Sequence, residues 1–195
     1  MADFSQVLGV SIEIICRGLI RYIWHNLPPE HSLPEDPEIL KSLPVELLIQ
    51  LGLPVLAFQE TEIYNINPVR CTGALNFRNN GSRNDWVWVQ AGTEDMYGAL
   101  RGPLPAKLIA FFKIRDYRCE DRVRRLAGVQ FVSAVNSGRL SDVYSLVTVQ
   151  MKEDARQFTV VDIGTILGLA HLIPEGDRRW IVNNIIDLGT FNKVY

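Results

Sequence analysis

The stretch Arg83–Gly92, RNDWVWVQAG, decides how the chain folds. Upstream of it apolar residues recur at helical spacing, and from Asp85 they recur at every second position, the period of a strand. An extended chain carries Trp86 and Trp88 on one face and Val87 and Val89 on the other. Both faces are apolar, and no basic residue lies between Asp85 and Gln90. DWVWVQ therefore predicts a strand covered on both sides, with the tryptophans largely buried under the N-terminal helix. The competing use of two rings in register is a recognition platform for a base, a sugar or a methylated lysine.

Five further segments keep the two-residue period: KLIAFFKI (107–114), RRLAGVQFVSAV (124–135), YSLVTVQM (144–151), FTVVDI (158–163) and RWIVNN (179–184). Six short strands separated by ordinary loops predict a small closed or half-closed antiparallel barrel. IDLGTFNKVY then reads as a tail packed back on it.

The first 27 residues read differently. Phe4, Leu8, Ile12, Ile15, Leu19, Tyr22 and Ile23 recur at three- and four-residue steps and form one stripe of a helix capped at Asp3. Glu13, Arg17 and Arg21 lie along another face. DPEILKS, with Asp36 and Pro37, predicts a second helix. In LPVELLIQLGLP, Pro44 opens and Gly52 closes a third. Residues 55–80 read as irregular or weakly extended, and NFRNNGSRND is the strongest boundary signal. The fold class is thus α+β, with a helical segment 1–80 packing on a β-barrel module 81–195.

An apolar content of 47% against 22% charge suits a globular core, and a net charge of −2 gives no overall pull toward nucleic acid. The charge is unevenly spread. Residues 1–80 hold five basic and nine acidic side chains, whereas Arg101, Lys107, Lys113, Arg115, Arg118, Arg122, Arg124, Arg125 and Arg139 face only Asp116, Glu120 and Asp121. Such a run is a solvated face or a phosphate-facing patch. Three cysteines without CxxC spacing fit a reduced intracellular protein, with nuclear entry open. No apolar run is long enough to cross a membrane, so no membrane partner is expected.

Recognised catalytic grammar is missing from the sequence: there is no HExxH, no GxSxG and no phosphate loop. A nucleophilic pair such as Cys71 with His171 could form only through folding, and a lone Cys is more often a small buried apolar residue. The scattered Cys and His residues predict no metal site or other cofactor. Asp116, Glu120 and Asp121 are expected in a loop among arginines, and Asp162 with Thr165 as a local cap. Trp180, after Arg178 and Arg179, is the better candidate for an exposed aromatic beside positive charge.

Four strings carry a family resemblance: EIYNINPVRCTGALNFRNNGSRNDWVWVQ, YGALRGPLPAKLIAFFKIRD, RRLAGVQFV and VVDIGTILGLAHLIPEGDRRWIVNNIIDLGTFNKVY. They are similar to the C-terminal region of large transposase-like proteins of fungal DNA transposons of the Kyakuja–Dileera–Zisupton and Plavaka kind, over about Phe4 to Tyr195. In that family an RNase H-like catalytic core lies upstream, so the resemblance carries no catalytic residue to any position here. It implies a β-rich C-terminal module in a nuclear, element-derived setting. The barrel pattern also resembles SH3-like and bromo-adjacent-homology (BAH) barrels, a likeness of fold that does not give function.

The leading reading is a non-catalytic interaction module, not an enzyme, binding a protein or chromatin partner, with self-association through the N-terminal helix as a further expectation. An accessory DNA-binding domain is the runner-up, using the basic 101–139 region. A stand-alone hydrolase comes third. The partner-binding candidates are Arg115, Arg118, Arg122, Arg124, Arg125, Arg178, Arg179 and Trp180.

Overall fold

A computed structural model describes residues 10–26, 45–48, 50–55, 65–72, 83–90, 103–116, 119–135, 147–151, 158–176 and 178–183. The described chain is strand-rich, with one α-helix and three antiparallel sheets.

The helix α1 (Ile12–His25) starts later than the sequence predicts. Val10 and Ser11 are not helical. The Ser11 carbonyl accepts from the Ile14 and Ile15 amides, and its hydroxyl accepts from Ile14 N at 3.4 Å, so serine does the capping. The expected Asp3 cap lies outside the described residues. Asn26 closes the helix by donating its side-chain amide to the Tyr22 carbonyl at 2.8 Å. The predicted stripe is the buried one: Ile15, Tyr22 and Ile23 face the sheet, while Glu13, Arg17 and Arg21 face solvent.

Thirteen strands follow in the described residues: β1 (Val45–Leu48), β2 (Gln50–Val55), β3 (Asn65–Thr72), β4 (Arg83–Asn84), β5 (Trp86–Val89), β6 (Leu104–Asp116), β7 (Cys119–Phe131), β8 (Ser133–Ala134), β9 (Val147–Gln150), β10 (Phe158–Asp162), β11 (Ile166–Leu169), β12 (Leu172–Gly176) and β13 (Arg179–Val182). All six predicted strands are among them. The expected helix from Pro44 to Gly52 is corrected to two strands. Leu47 pairs with Phe112 and Gly52 with Pro68, so long-range ladders override the local proline and glycine signals. Asp116, Glu120 and Asp121 are also corrected: Asp116 ends β6, and the other two lie within β7.

The main sheet has the order β10-β7-β6-β5-β11, with β1 joined to the far half of β6. The second has the order β12-β13-β9-β8 and the third β2-β3-β4. The expected barrel does not close. Instead its six strands are divided between the first two sheets, and β10 and β11 form opposite edges of the main sheet without pairing.

The main sheet is nevertheless curled. Its two edges are joined by a single 3-10 turn, Ile163–Thr165. Four residues span at most about 14 Å, whereas the outer strands of a flat five-stranded sheet lie about 19 Å apart. Asp162 anchors this link as expected: its Oδ1 accepts from Gly164 N at 2.8 Å, and its carbonyl accepts from Thr165 Oγ1 at 2.7 Å.

Both faces of the main sheet carry buried side chains. On one lie Val87, Val89, Ala106, Leu108, Phe111, Ala127, Val129 and Ile166, with Val69 and Cys71 of β3 packed on them. The other face has two covers. Helix α1 packs over Phe112, Ile114, Leu126, Phe158 and Val160, and the second sheet brings Val149 and Val182 against Trp86 and Trp88.

That division relocates the tryptophans' cover: the second sheet, not the helix, faces them. Trp86 and Trp88 are half-buried, and the fully buried face of β5 is its valine face. The β4–β5 break is held by Asp85, which takes the Arg70 amide at 2.8 Å and donates its own amide to the Arg70 carbonyl. Its carbonyl accepts from Leu108 N at 3.0 Å, so a single residue ties β3, β5 and β6 together.

Candidate functional site

The arginine-rich segment forms the far end of the β6–β7 hairpin. The middle of β7 is flanked on both sides, by β6 and by β10, which pairs from Phe158↔Gln130 to Asp162↔Leu126. Beyond Leu126, β10 has turned away into the 3-10 link. Among the described residues, β7 then has only β6 beside it.

Side chains at this end separate onto two faces. Cross-strand partners share a face, so Arg125 sits beside Lys113, which sits beside Glu46 of β1. Lys113 Nζ is 2.7 Å from Glu46 Oε2. The row therefore reads one carboxylate, then two cations abreast. Val123, two residues along on the face of Arg125, is 45% exposed although it is apolar.

The opposite face carries Arg124, with the Tyr22 phenol and the Asp162 carboxylate. Tyr22 donates to Asp162 Oδ2 at 3.4 Å. Burial pushes the phenol above its ordinary 10.0, and its hydrogen bond with Arg124 pulls the other way. This trio latches the last turn of α1 to the strand that ends at the 3-10 link. Tyr22 appears in the sequence only as part of an apolar stripe, and nothing at that level pairs it with residues 102 and 140 positions away.

The other candidates are dispersed. Arg115 and Arg122 lie in β6 and β7, and Arg118 falls outside the described residues. Arg178 and Arg179 are exposed at the β12–β13 turn, where Arg178 takes a left-handed φ of 59°. Trp180 is half-buried and does not stand alone: its ring centroid lies 5.0 Å from that of Trp86, at 57°. It helps clamp the second sheet to the first, as tilted aromatic pairs do.

Lys107, a proposed phosphate contact, is half-buried directly opposite Trp86 and Gln130, and burial lowers its pKa. The Cys71–His171 pair does not have the character of a nucleophilic dyad. Cys71 is 2% exposed in the core under the main sheet, and burial, reinforced by Asp85, pushes its thiol up to about 12. The His171 ring is exposed, 3.4 Å from the Asn183 side-chain amide. Among the described residues no three His, Cys, Asp or Glu side chains group as metal ligands would. No helix among them is long and apolar enough to cross a membrane.

No protein-family model, curated protein or solved structure matches the chain.

Proposed function

We propose that the chain is a non-catalytic interaction module of a transposon-derived protein, binding a protein or chromatin partner in a nuclear setting. The transposon context rests on the sequence resemblance alone. The observation that carries the binding reading is the far end of the β6–β7 hairpin, where exposed Val123 stands next to Arg124 and Arg125 on a strand whose other half is core. Arginine beside exposed apolar surface is the composition of protein interfaces. Self-association through α1 is the less supported partner, because its apolar stripe already packs on the sheet.

The exposed pair Arg178 and Arg179 favours the second reading, an accessory DNA-binding domain. Titrating a 20-base-pair duplex at low and physiological salt separates the two. DNA contact through several arginines predicts affinity that falls steeply as salt rises, through counterion release. Absence of duplex binding at low salt, together with peptide binding sensitive to Val123 and Arg125, supports the protein-binding reading. The reverse pattern overturns it.

A further inference from the structure

We propose that the outer edge of β7 at Val123–Arg125 accepts an extended acidic segment of a protein partner as an added strand, with a carboxylate set beside Arg125. This rests on the interaction-module reading and names the chemistry of its partner.

The register supplies the argument. β10 runs along β7 until Asp162 reaches Leu126, and the next position of that strand would lie beside Arg125. The chain instead enters the 3-10 turn, held by the Asp162 cap. β7 continues to Cys119, and among the described residues no strand takes up the stretch where β10 could have extended. Edges of this kind pair with incoming strands, and side chains alternating along the edge set specificity.

Charge selects the occupant. Across the three strands present, the row on one face is Glu46, Lys113, Arg125. Glu46 neutralises Lys113 at 2.7 Å, and no carboxylate among the described residues pairs with Arg125. Two like charges directly opposite disfavour the ladder unless flanked by opposite charge. A carboxylate on a fourth strand would balance the row from the other side. Two residues along, Val123 offers an apolar contact on the same face, so an incoming strand of alternating acidic and apolar residues is complementary. Arg124 belongs to the opposite face with Tyr22 and Asp162, and the pairing does not call on it.

The test uses the full chain and three labelled probes: a ten-residue peptide alternating glutamate and valine, its lysine–valine counterpart, and a 20-base-pair duplex. Fluorescence anisotropy gives affinity, and a ¹³C-labelled glutamate peptide reports strand formation in the infrared amide band. Wild-type chain is expected to bind the glutamate peptide with appearance of the sheet band. Arg125→Glu should weaken that binding about tenfold and favour the lysine peptide. Because Arg125 is exposed, the variant should fold, and its circular dichroism confirms this.

No glutamate-peptide binding by wild type, equal binding by wild type and Arg125→Glu, or binding without the sheet band each overturns the added strand. So does a dimer in sedimentation that Arg125→Glu dissociates, since a second copy then holds the edge. The parent reading fails separately: salt-steep duplex binding with no peptide binding removes the protein-binding module itself. Peptide binding that ignores Arg125 removes only this edge.

Discussion

β7 is two different strands in one. From Leu126 to Gln130 it runs between β6 and β10, and Leu126, Ala127 and Val129 are fully buried. From Cys119 to Arg125 its only described neighbour is β6, and Val123, Arg124 and Arg125 are exposed or half-buried. The sequence changes from EDRVRR to LAGVQF where the second neighbour begins. A strand's composition thus records how many neighbours and covers it has, position by position. The buried half carries stability, and the other half is where the proposed recognition is placed.

The largest way to break the contrast is at Phe158. Its ring is wedged between Gly18 of α1 and Gly128 of β7: a Cβ at Gly18 would lie 2.8 Å from Phe158 Cε1, and one at Gly128 2.7 Å from Cζ. Phe158→Ala empties that wedge and should cost about 3–5 kcal/mol, read as a lower urea midpoint. Gly128→Ala overfills it against both Phe158 and Phe112, at about 1–3 kcal/mol. Val123→Ala, on the same strand five residues earlier, should stay within about 0.5 kcal/mol. Equal losses at 123 and 128 would erase the distinction.

Tyr22→Phe tests the latch between the halves and should cost about 1 kcal/mol through the lost hydrogen bond to Asp162. It also carries a pH signature. Burial raises the Tyr22 phenol above 10.0, so the folded chain keeps a proton that the unfolded chain has begun to release. That stability is whole below pH about 10 and is lost as pH rises through the folded value. The stability measured by denaturation across pH 9–12 should therefore fall less steeply in Tyr22→Phe than in wild type. Arg125→Glu acts in the opposite direction, because it converts a like-charge pair with Lys113 into an opposite one. A gain of about 0.2–1 kcal/mol at low salt, shrinking as salt is added, is expected.

The strands that were legible in the sequence were those with an uninterrupted two-residue period. Residues 45–55 were not, because VELLIQLGLPV is a short apolar run that periodicity assigns equally well to helix or strand. Pro44 and Gly52 then imitate helix punctuation, and only the partners on β6 and β3 decide the matter. β11 and β12 escaped for a related reason: ILGLAHLIPEG has glycine and proline where a strand pattern needs side chains. The arginine cluster was visible as composition. Its division into two faces was not, since that depends on a register shift near Leu108 of β6 and on Glu46 arriving from β1. Trp180 looked exposed because its neighbours in sequence are charged, whereas its neighbour in space is Trp86.

The three-residue link between β10 and β11 has a dynamic consequence. The outermost strands of a sheet are ordinarily the first to fray, and each can do so alone. Here each edge is tethered to the other through Asp162 and the turn it caps, and one edge also lies under α1. Loosening β11 pulls on the cap, the Tyr22 latch and the helix together. Amide hydrogens of β10, β11 and the last turn of α1 should then exchange with solvent as one cooperative unit, with a shared opening free energy.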